Sequence, residues 1–177
     1  DDVRIVLFTF YYPPDLSAGS FRAVSLIKAL SRKLTVNDEI HVITSSPNRY
    51  ANYHAEIEGI ETNDMLTIHR ISTPKHKGSI ISQIYAYAVF AFSAFRLNRK
   101  INPDFLVVTT GRLMSSILTL ISACLMRRDF YVDMRDIFSE TISDILAKKS
   151  KLLGSIVKYL FIFIEKQYIK KMIGITN

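Results

Sequence analysis

Small residues and an arginine occur together at two places where strand-like sequence gives way to a helical pattern. Free backbone N–H groups and the macrodipole at a helix N-terminus both attract anions. An arginine in the first helical turn opposes that dipole, so its repetition indicates an anionic partner at each turn; the alternative is that both side chains point into water. The residues concerned are Gly19, Ser20 and Arg22 at the first place, and Thr110, Gly111 and Arg112 at the second.

A third polar cluster follows the apolar run that begins at Tyr131. Asp133 and Arg135 have one residue between them, so in an extended chain their side chains project to the same side. We interpret this pair as the catalytic residues of a site. Asp136 instead has the sequence context of a helix N-cap, with Ser139 or Glu140 completing a capping box.

Other chemistries lack their sequence signatures. The chain contains no glycine-rich dinucleotide motif, no phosphate-binding P-loop motif and no nucleophile elbow of a hydrolase. The histidines and the single cysteine, Cys124, do not show the spacing of zinc ligands, so we expect neither a metal nor a bound cofactor. Cys124 lies in an apolar helical run and is predicted to be a small core side chain.

These residues are positioned by an alternation of strand-like and helical segments. Strands separated by helices predict right-handed crossovers and a parallel sheet. We therefore predict an α/β fold: a Rossmann-like, doubly wound sheet of about six strands in three α/β/α layers. The predicted strands are 3–10, 40–45, 66–71, 105–109, 130–134 and 172–176, and the predicted helices are 21–34, 79–100, 113–126 and 151–171.

The predicted topology brings two of the polar turns to one edge. If the first and fourth predicted strands are neighbours at the switch point of the sheet, the loops after them face one crevice at the carboxyl edge. Pro13 and Pro14 end the first strand near Phe10 or Tyr11 because proline cannot donate to the ladder. The polar stretch 47–65 is predicted to be a long loop, either functional or mobile.

Composition narrows the class of protein. The 177 residues are 49% hydrophobic and 22% charged, which suits one globular domain. The net charge of +7 is compatible with phosphorylated ligands, anionic lipid or nucleic acid. One cysteine and no visible signal peptide favour the cytoplasm. We expect the chain to be a piece of a longer protein, because the pattern of a further strand begins just before Asn177.

Two apolar helical segments raise the question of a membrane. The segment 80–95 spans about sixteen residues, short of the roughly twenty needed to cross a bilayer. The segment 151–171 has an apolar face, and lysines, Tyr159 and two isoleucines lie on its other side. That side predicts either a solvated surface or a peripheral contact with anionic lipid.

The order of these motifs resembles the N-terminal domain of GT-B glycosyltransferases, and most closely the retaining family 4 enzymes. The resemblance lies in an apolar strand, a Tyr-Pro-Pro loop and a Gly segment before a helix, here Phe10 to Arg22. A Thr-Ser-Ser-Pro loop ends the second strand, and Tyr131 to Glu140 resembles the Asp-x-Arg-Asp segment of a bacterial subgroup that builds surface polysaccharides.

The resemblance implies a function that needs a second domain. Residues 1–177 would form a single acceptor-side domain, and the donor-binding C-terminal domain would lie outside this chain. The complete enzyme would move a sugar from a nucleotide-sugar to a glycan or a polyprenyl-diphosphate-linked acceptor, with retention and without a metal. Gly19 matches the glycine that approaches the donor diphosphate, and Asp133 stands where many relatives have a histidine that contacts the sugars. The isolated domain would be inactive.

Three other functions remain as alternatives. A stand-alone module that binds a nucleotide or another phospholigand would use the same anion-binding turns. A dinucleotide-dependent reductase or epimerase normally has a triple-glycine turn and an acidic residue after the second strand, where Thr44, Ser45 and Ser46 stand instead. Nucleic-acid binding fits the net charge but lacks a recognition motif, and we expect no nucleic-acid partner.

Overall fold

Strands and helices alternate along the chain, as the hydrophobic pattern predicts. The computed structural model describes residues 2–46, 59–74, 80–109 and 113–133. The strands are β1 (Arg4–Phe8), β2 (Glu39–Ser45), β3 (Ile60–Asn63), β4 (Leu66–Ile71), β5 (Phe105–Thr109) and β6 (Asp129–Asp133). The helices are α1 (Ala18–Ser31), α2 (Ile80–Ile101) and α3 (Leu113–Met126).

The strands form one open sheet in the order β3-β4-β2-β1-β5-β6. All neighbouring strands are parallel except β3, which runs antiparallel to β4 at the edge. From β1 the strand order runs toward one edge through β2 and β4, and β5 and β6 are added on the other side of β1. The carboxyl ends of β1 and β5 therefore flank the switch point. The predicted α/β class, the Rossmann-like doubly wound sheet and the adjacency of the first strand to 105–109 are confirmed.

The two faces of the sheet are covered by different helices, which gives three α/β/α layers. Side chains alternate between the faces along each strand. On one face α1 packs Ala23 and Ile27 against a core that includes Leu7 and Val42, all nearly inaccessible to solvent. On the other face α2 stacks Tyr87 on Phe10 and packs against α3. Burying both faces of the central strands explains their continuous apolar runs.

The edge strand β3 is an element that the hydrophobic pattern did not predict. Residues 60–63 pair antiparallel with β4 and lie inside the segment 47–65, which was predicted to be a loop. Asp64, with φ of 46°, begins the tight turn between the two strands. Three of the four residues of β3 are exposed, so the strand carries no alternation of buried and exposed side chains that would reveal it.

Helix α1 begins three residues before the predicted start at Phe21. Ser17 is the N-cap, and its Oγ accepts a hydrogen bond from the backbone N–H of Ser20 at 3.2 Å. Serine is a favoured N-cap because its hydroxyl satisfies an amide that the helix cannot. Gly19 therefore lies in the first turn. The prediction that Arg22 belongs to the first turn is wrong, because Arg22 is the fifth helical residue.

Several sequence predictions have other outcomes. Cys124 is exposed on α3, so the prediction of a buried core side chain is wrong. The predicted strand 172–176, the helix 151–171 and the N-cap at Asp136 lie outside the described residues. Among the helices that the structure describes, none is both long and apolar enough to cross a bilayer.

Candidate functional site

The N-terminus of α1 opens at the carboxyl edge of the sheet. Ser17 caps the amide of Ser20, and the backbone carbonyl of Ser17 accepts from the amide of Phe21 at 3.1 Å. The amides of Ala18 and Gly19 have no carbonyl to reach within the helix, because the first N–H groups of any helix lack intrahelical partners. These two donors and the positive end of the helix dipole can receive an anion.

Gly19 leaves open space beside this helix end. Among the residues that the structure describes, a Cβ placed on Gly19 would have one neighbour within 4 Å, Ser17 Oγ at 3.9 Å, which is an ordinary van der Waals contact. The helical conformation of the residue does not require glycine, and neither does packing against the residues that the structure describes. Glycine at this position would, however, allow a ligand to approach the backbone closely.

Ser20 points from α1 toward the sheet. It lies on the helix face that also carries Ala23 and Ile27, and all three residues are buried. Ser20 Oγ is inaccessible to solvent and has no hydrogen-bond partner within the part of the chain that the structure describes. A buried hydroxyl without a partner costs free energy, roughly 1–3 kcal/mol. Because this oxygen is closed to solvent, the structure does not show it open to the predicted substrate.

Two threonine hydroxyls form the floor of the switch point. Thr109 is the last residue of β5, and its Oγ1 donates to Oγ1 of Thr9 at 3.4 Å. Thr9 follows β1, and its hydroxyl donates to the carbonyl of Tyr11 at 2.9 Å. Both side chains are buried, so they hold the carboxyl ends of β1 and β5 together beneath the loops that follow them.

Arg22 and Asp133 bridge α1 and β6. Asp133 is the last residue of β6 and lies beside Thr109 in the register of the sheet. Arg22 Nη1 lies 3.7 Å from Asp133 Oδ2, and each side chain is 26% exposed. The anionic partner that the sequence predicted for Arg22 is thus a carboxylate of the protein itself, and the ion pair remains accessible to a ligand.

The structure brings four of the predicted site residues to one region of the carboxyl edge. Gly19, Ser20 and Arg22 lie in the first two turns of α1, and Asp133 contacts Arg22 from the end of β6. The other predicted site residues, Thr110, Gly111, Arg112 and Arg135, lie outside the described residues.

Sequence reasoning missed Arg70, a charged residue inside β4. Its side chain is 3% exposed, its Nε donates to Glu61 Oε1 at 2.6 Å, and its Nη2 donates to the carbonyl of Pro13 at 2.6 Å. The sequence feature that could have revealed Arg70 is a charged residue within the strand Leu66–Ile71. An arginine in a strand of this kind is rarely fully buried unless it is paired.

Tyr12 lies in the same loop as Pro13 and is buried against the α1 face of the sheet. Burial raises the pKa of its hydroxyl; the charge of Arg70 opposes this rise, and Glu61 adds to it. The phenol is therefore a neutral hydrogen-bonding group near neutral pH.

A second polar chain lies within the sheet. His41 Nδ1 is 3.1 Å from His69 Nε2, and His41 Nε2 is 3.2 Å from Glu39 Oε2. Burial and the neighbouring His41 lower the pKa of His69. In the described part of the chain, no group of three or more His, Cys, Asp or Glu side chains is arranged to hold a metal ion.

Comparisons with known proteins add no assignment to this geometry. No protein-family model matches the chain, and no curated protein matches it either.

Proposed function

We propose that this chain is the N-terminal, acceptor-side domain of a retaining glycosyltransferase with a GT-B fold. The observation that carries the proposal is the contact between Arg22 and Asp133 beside the N-terminus of α1. It brings a cation and a carboxylate together at the carboxyl edge of the sheet, and the cation belongs to the helix whose first amides lack intrahelical partners. Open α/β sheets bind ligands at this edge. The motif order that resembles family 4 enzymes supports the same function.

The proposed reaction transfers a sugar from a nucleotide-sugar to an acceptor hydroxyl. The bond between the anomeric carbon and the diphosphate oxygen breaks, and a bond to the acceptor oxygen forms on the same face of the sugar. The acceptor hydroxyl loses its proton to the departing diphosphate or to solvent. The products are a glycoside of unchanged anomeric configuration and a free nucleoside diphosphate.

The residues of the candidate site have distinct roles in this proposal. The amides of Ala18 and Gly19 would stabilise negative charge on the departing diphosphate, and the absence of a side chain at Gly19 would let it approach. Asp133 would accept a hydrogen bond from a sugar hydroxyl, and Arg22 would hold that carboxylate in place. Donors fixed before the reaction stabilise developing charge without reorganisation, which makes this kind of contribution large.

The acceptor and the cellular location follow from the same proposal. The net charge of +7 favours an anionic acceptor such as a glycan carried on a polyprenyl diphosphate. Such a carrier would place the enzyme in the cytoplasm, peripherally on an anionic membrane surface. The donor would be held by the proposed C-terminal domain, so residues 1–177 alone would not turn over.

The test uses the longest natural reading frame that contains this chain. The purified protein is incubated with UDP-, GDP- and dTDP-sugars and with a lipid-linked or free oligosaccharide, and release of nucleoside diphosphate and formation of glycoside are measured. We expect turnover with one donor by the long protein and none by residues 1–177. A reading frame that ends at Asn177, with nucleotide binding by the chain itself, would favour the stand-alone module instead.

A further inference from the structure

A buried arginine lies beneath the loop that leads into α1. Arg70 is in β4, where it stands beside Thr44 of β2 in the register of the sheet. Its side chain is only 3% exposed, although a guanidinium in water would be fully hydrated. Burying an arginine costs free energy unless its charge is paired and its N–H groups are hydrogen-bonded. The partners of this side chain therefore indicate its structural role.

The guanidinium joins three segments of the chain. Nε donates to Glu61 Oε1 of β3 at 2.6 Å, which pairs the charge. Nη2 donates to the backbone carbonyl of Pro13 at 2.6 Å. The planar fork of arginine holds both acceptors in one fixed geometry, whereas the ammonium of lysine is a point charge with freely rotating donors. Nη1 is buried and has no partner among the described residues.

Backbone hydrogen bonds connect Pro13 to the start of α1. The amide of Asp15 donates to the carbonyl of Tyr12 at 3.1 Å, closing a turn around the two prolines. The amide of Ser17 donates to the carbonyl of Asp15 at 3.2 Å, and Ser17 is the N-cap of the helix. Two short hydrogen-bonded turns therefore connect Pro13, which Arg70 contacts, to the capping residue Ser17.

The loop has a second anchor at its other end. Ser45 Oγ, at the end of β2, donates to the carbonyl of Phe10 at 2.6 Å. The Phe10 ring is also packed against Tyr87 and Phe90 of α2. Phe10 is thus held by packing and a neutral hydrogen bond, whereas Pro13, nearer to α1, is held by the charged side chain of Arg70.

We propose that Arg70 is a positioning residue, which holds the loop 10–17 in the conformation that presents the α1 N-terminus to the donor diphosphate. This inference rests on the proposed function for its ligand, but the holding of the loop is a property of the chain alone. Arg70 acts through Pro13 and Ser17 and touches none of the reacting atoms. Its loss would affect how the site is arranged, while the site residues themselves remain.

The experiment compares three variants of the full-length protein with the unaltered enzyme. Arg70→Met removes both donors, and Arg70→Lys keeps the charge but lacks the planar fork. Arg128→Met is the control for loss of an ion-paired arginine away from the loop, because Arg128 Nη1 lies 3.6 Å from Asp104 at the opposite edge of the sheet. Backbone amide exchange is measured by mass spectrometry, together with kcat and KM for the nucleotide-sugar that the unaltered enzyme uses.

We expect Arg70→Met to speed exchange in the peptide covering residues 10–22 by about tenfold or more, with little change in β1 and β5. We expect kcat/KM to fall by about tenfold to a hundredfold, with Arg70→Lys intermediate and Arg128→Met unchanged. Unchanged exchange in residues 10–22, or faster exchange with unchanged kcat/KM, would overturn the proposal. Faster exchange across the whole sheet would also overturn it, since Arg70 would then be a general structural residue.

Two arms keep the result decisive. If Arg70→Met does not fold, the same exchange and kcat/KM measurements are made on Arg70→Lys and Glu61→Gln. Each of these substitutions leaves a side chain of similar size in place. If the unaltered protein turns over no nucleotide-sugar, the proposed function fails. The exchange measurement then still decides whether Arg70 holds the loop, so the two failures are distinguishable.

Discussion

Arg22 Nη1 in α1 lies 3.7 Å from Asp133 Oδ2 at the end of β6, at the carboxyl edge of the sheet. The pair joins the first crossover helix to a strand two positions beyond β1 in the sheet. Each side chain keeps 26% of its surface exposed, so the contact contributes little to folding and leaves both groups accessible. We interpret the pair as part of a site rather than as a structural tie.

The first prediction concerns the energetic weight of this pair. A double-mutant cycle of Arg22→Ala and Asp133→Ala should give a coupling free energy of unfolding below about 1 kcal/mol, because partly exposed ion pairs are screened by water. Urea denaturation of the two single variants and the double variant measures it. A coupling of several kcal/mol would mean that the contact holds the fold together.

The second prediction concerns Gly19. Gly19→Ala should leave the free energy of unfolding unchanged or raise it by up to about 1 kcal/mol, because alanine is the better helix former and its methyl group fits. Within the described part of the chain, the new Cβ would meet only Ser17 Oγ, at 3.9 Å. Sugar transfer should fall by about tenfold or more, because the methyl group occupies the space where we expect the diphosphate.

The control for Gly19→Ala is Ser25→Ala, at an exposed position further along the same helix. Ser25 Oγ donates to the carbonyl of Phe21 at 2.9 Å and is remote from the open helix end. Ser25→Ala should leave kcat/KM unchanged. Full activity of Gly19→Ala would show that no ligand approaches this backbone closely.

How far the sequence predicts this molecule is clear from particular elements. β1 and β5 carry uninterrupted apolar residues because both faces of the sheet are buried, and such runs are readable without a structure. β3 is largely exposed and shows no alternation of apolar and polar residues, so only the structure reveals its pairing with β4. The predicted start of α1 at Phe21 is three residues late, because the apolar spacing begins there whereas the Ser17 cap begins the helix.

The candidate site was predictable as a set of positions but not as a set of contacts. The carboxyl ends of parallel strands share an edge, which predicts that Gly19, Arg22 and Asp133 lie near one another. The pairing of Arg22 with Asp133 depends on the rotation of α1, which the packing of Ala23 and Ile27 against the sheet sets. Arg70 escaped prediction because its role depends on Pro13, which is distant in sequence.

The third prediction concerns stability between neutral and mildly acidic pH. Burial and His41 lower the pKa of His69 in the folded chain, so the unfolded chain binds a proton more readily. The stabilisation is present above the unfolded pKa of about 6.5 and is lost as pH falls through the folded pKa. The free energy of unfolding should therefore decrease from pH 7.5 to pH 5.5.

Replacing His69 tests the origin of that decrease. His69→Gln should flatten the dependence of unfolding free energy on pH between 7.5 and 5.5, as measured by urea denaturation at each pH. His41 and Glu39 lie in the same polar chain and remain in this variant. An equally steep dependence in His69→Gln would assign the effect to another group.

The fourth prediction concerns Asp38, which precedes β2. Its Oδ1 accepts from the amide of Val3 at 2.7 Å, and its Oδ2 accepts from the amide and the hydroxyl of Thr35 at 2.7 and 2.9 Å. These hydrogen bonds, with the amide of Thr35 first, lower the pKa of the carboxyl group. The resulting stabilisation is present above the unfolded pKa and is lost as pH falls through the folded value.

Asp38→Asn should therefore be less stable than the unaltered protein at neutral pH, because an amide NH2 group cannot accept the hydrogen bonds of a carboxylate oxygen. The difference in stability between the two proteins should shrink as pH falls below the unfolded pKa of about 3.9, because the aspartate is then increasingly protonated. Thermal denaturation at neutral pH and at a series of acidic pH values gives the comparison. A constant difference at all pH values would show that the charge of Asp38 does not contribute to the stability that these hydrogen bonds provide.

The catalytic assignment is tested most directly by the transfer rate of the full-length enzyme with Asp133 or Arg22 replaced by alanine. Each variant is compared with the unaltered protein in kcat/KM for sugar transfer and in its urea unfolding midpoint. We predict that kcat/KM falls by about a hundredfold in Asp133→Ala and by about tenfold in Arg22→Ala, with both midpoints nearly unchanged. Unchanged kcat/KM, or a loss that only follows unfolding, would contradict the role of these residues in sugar transfer.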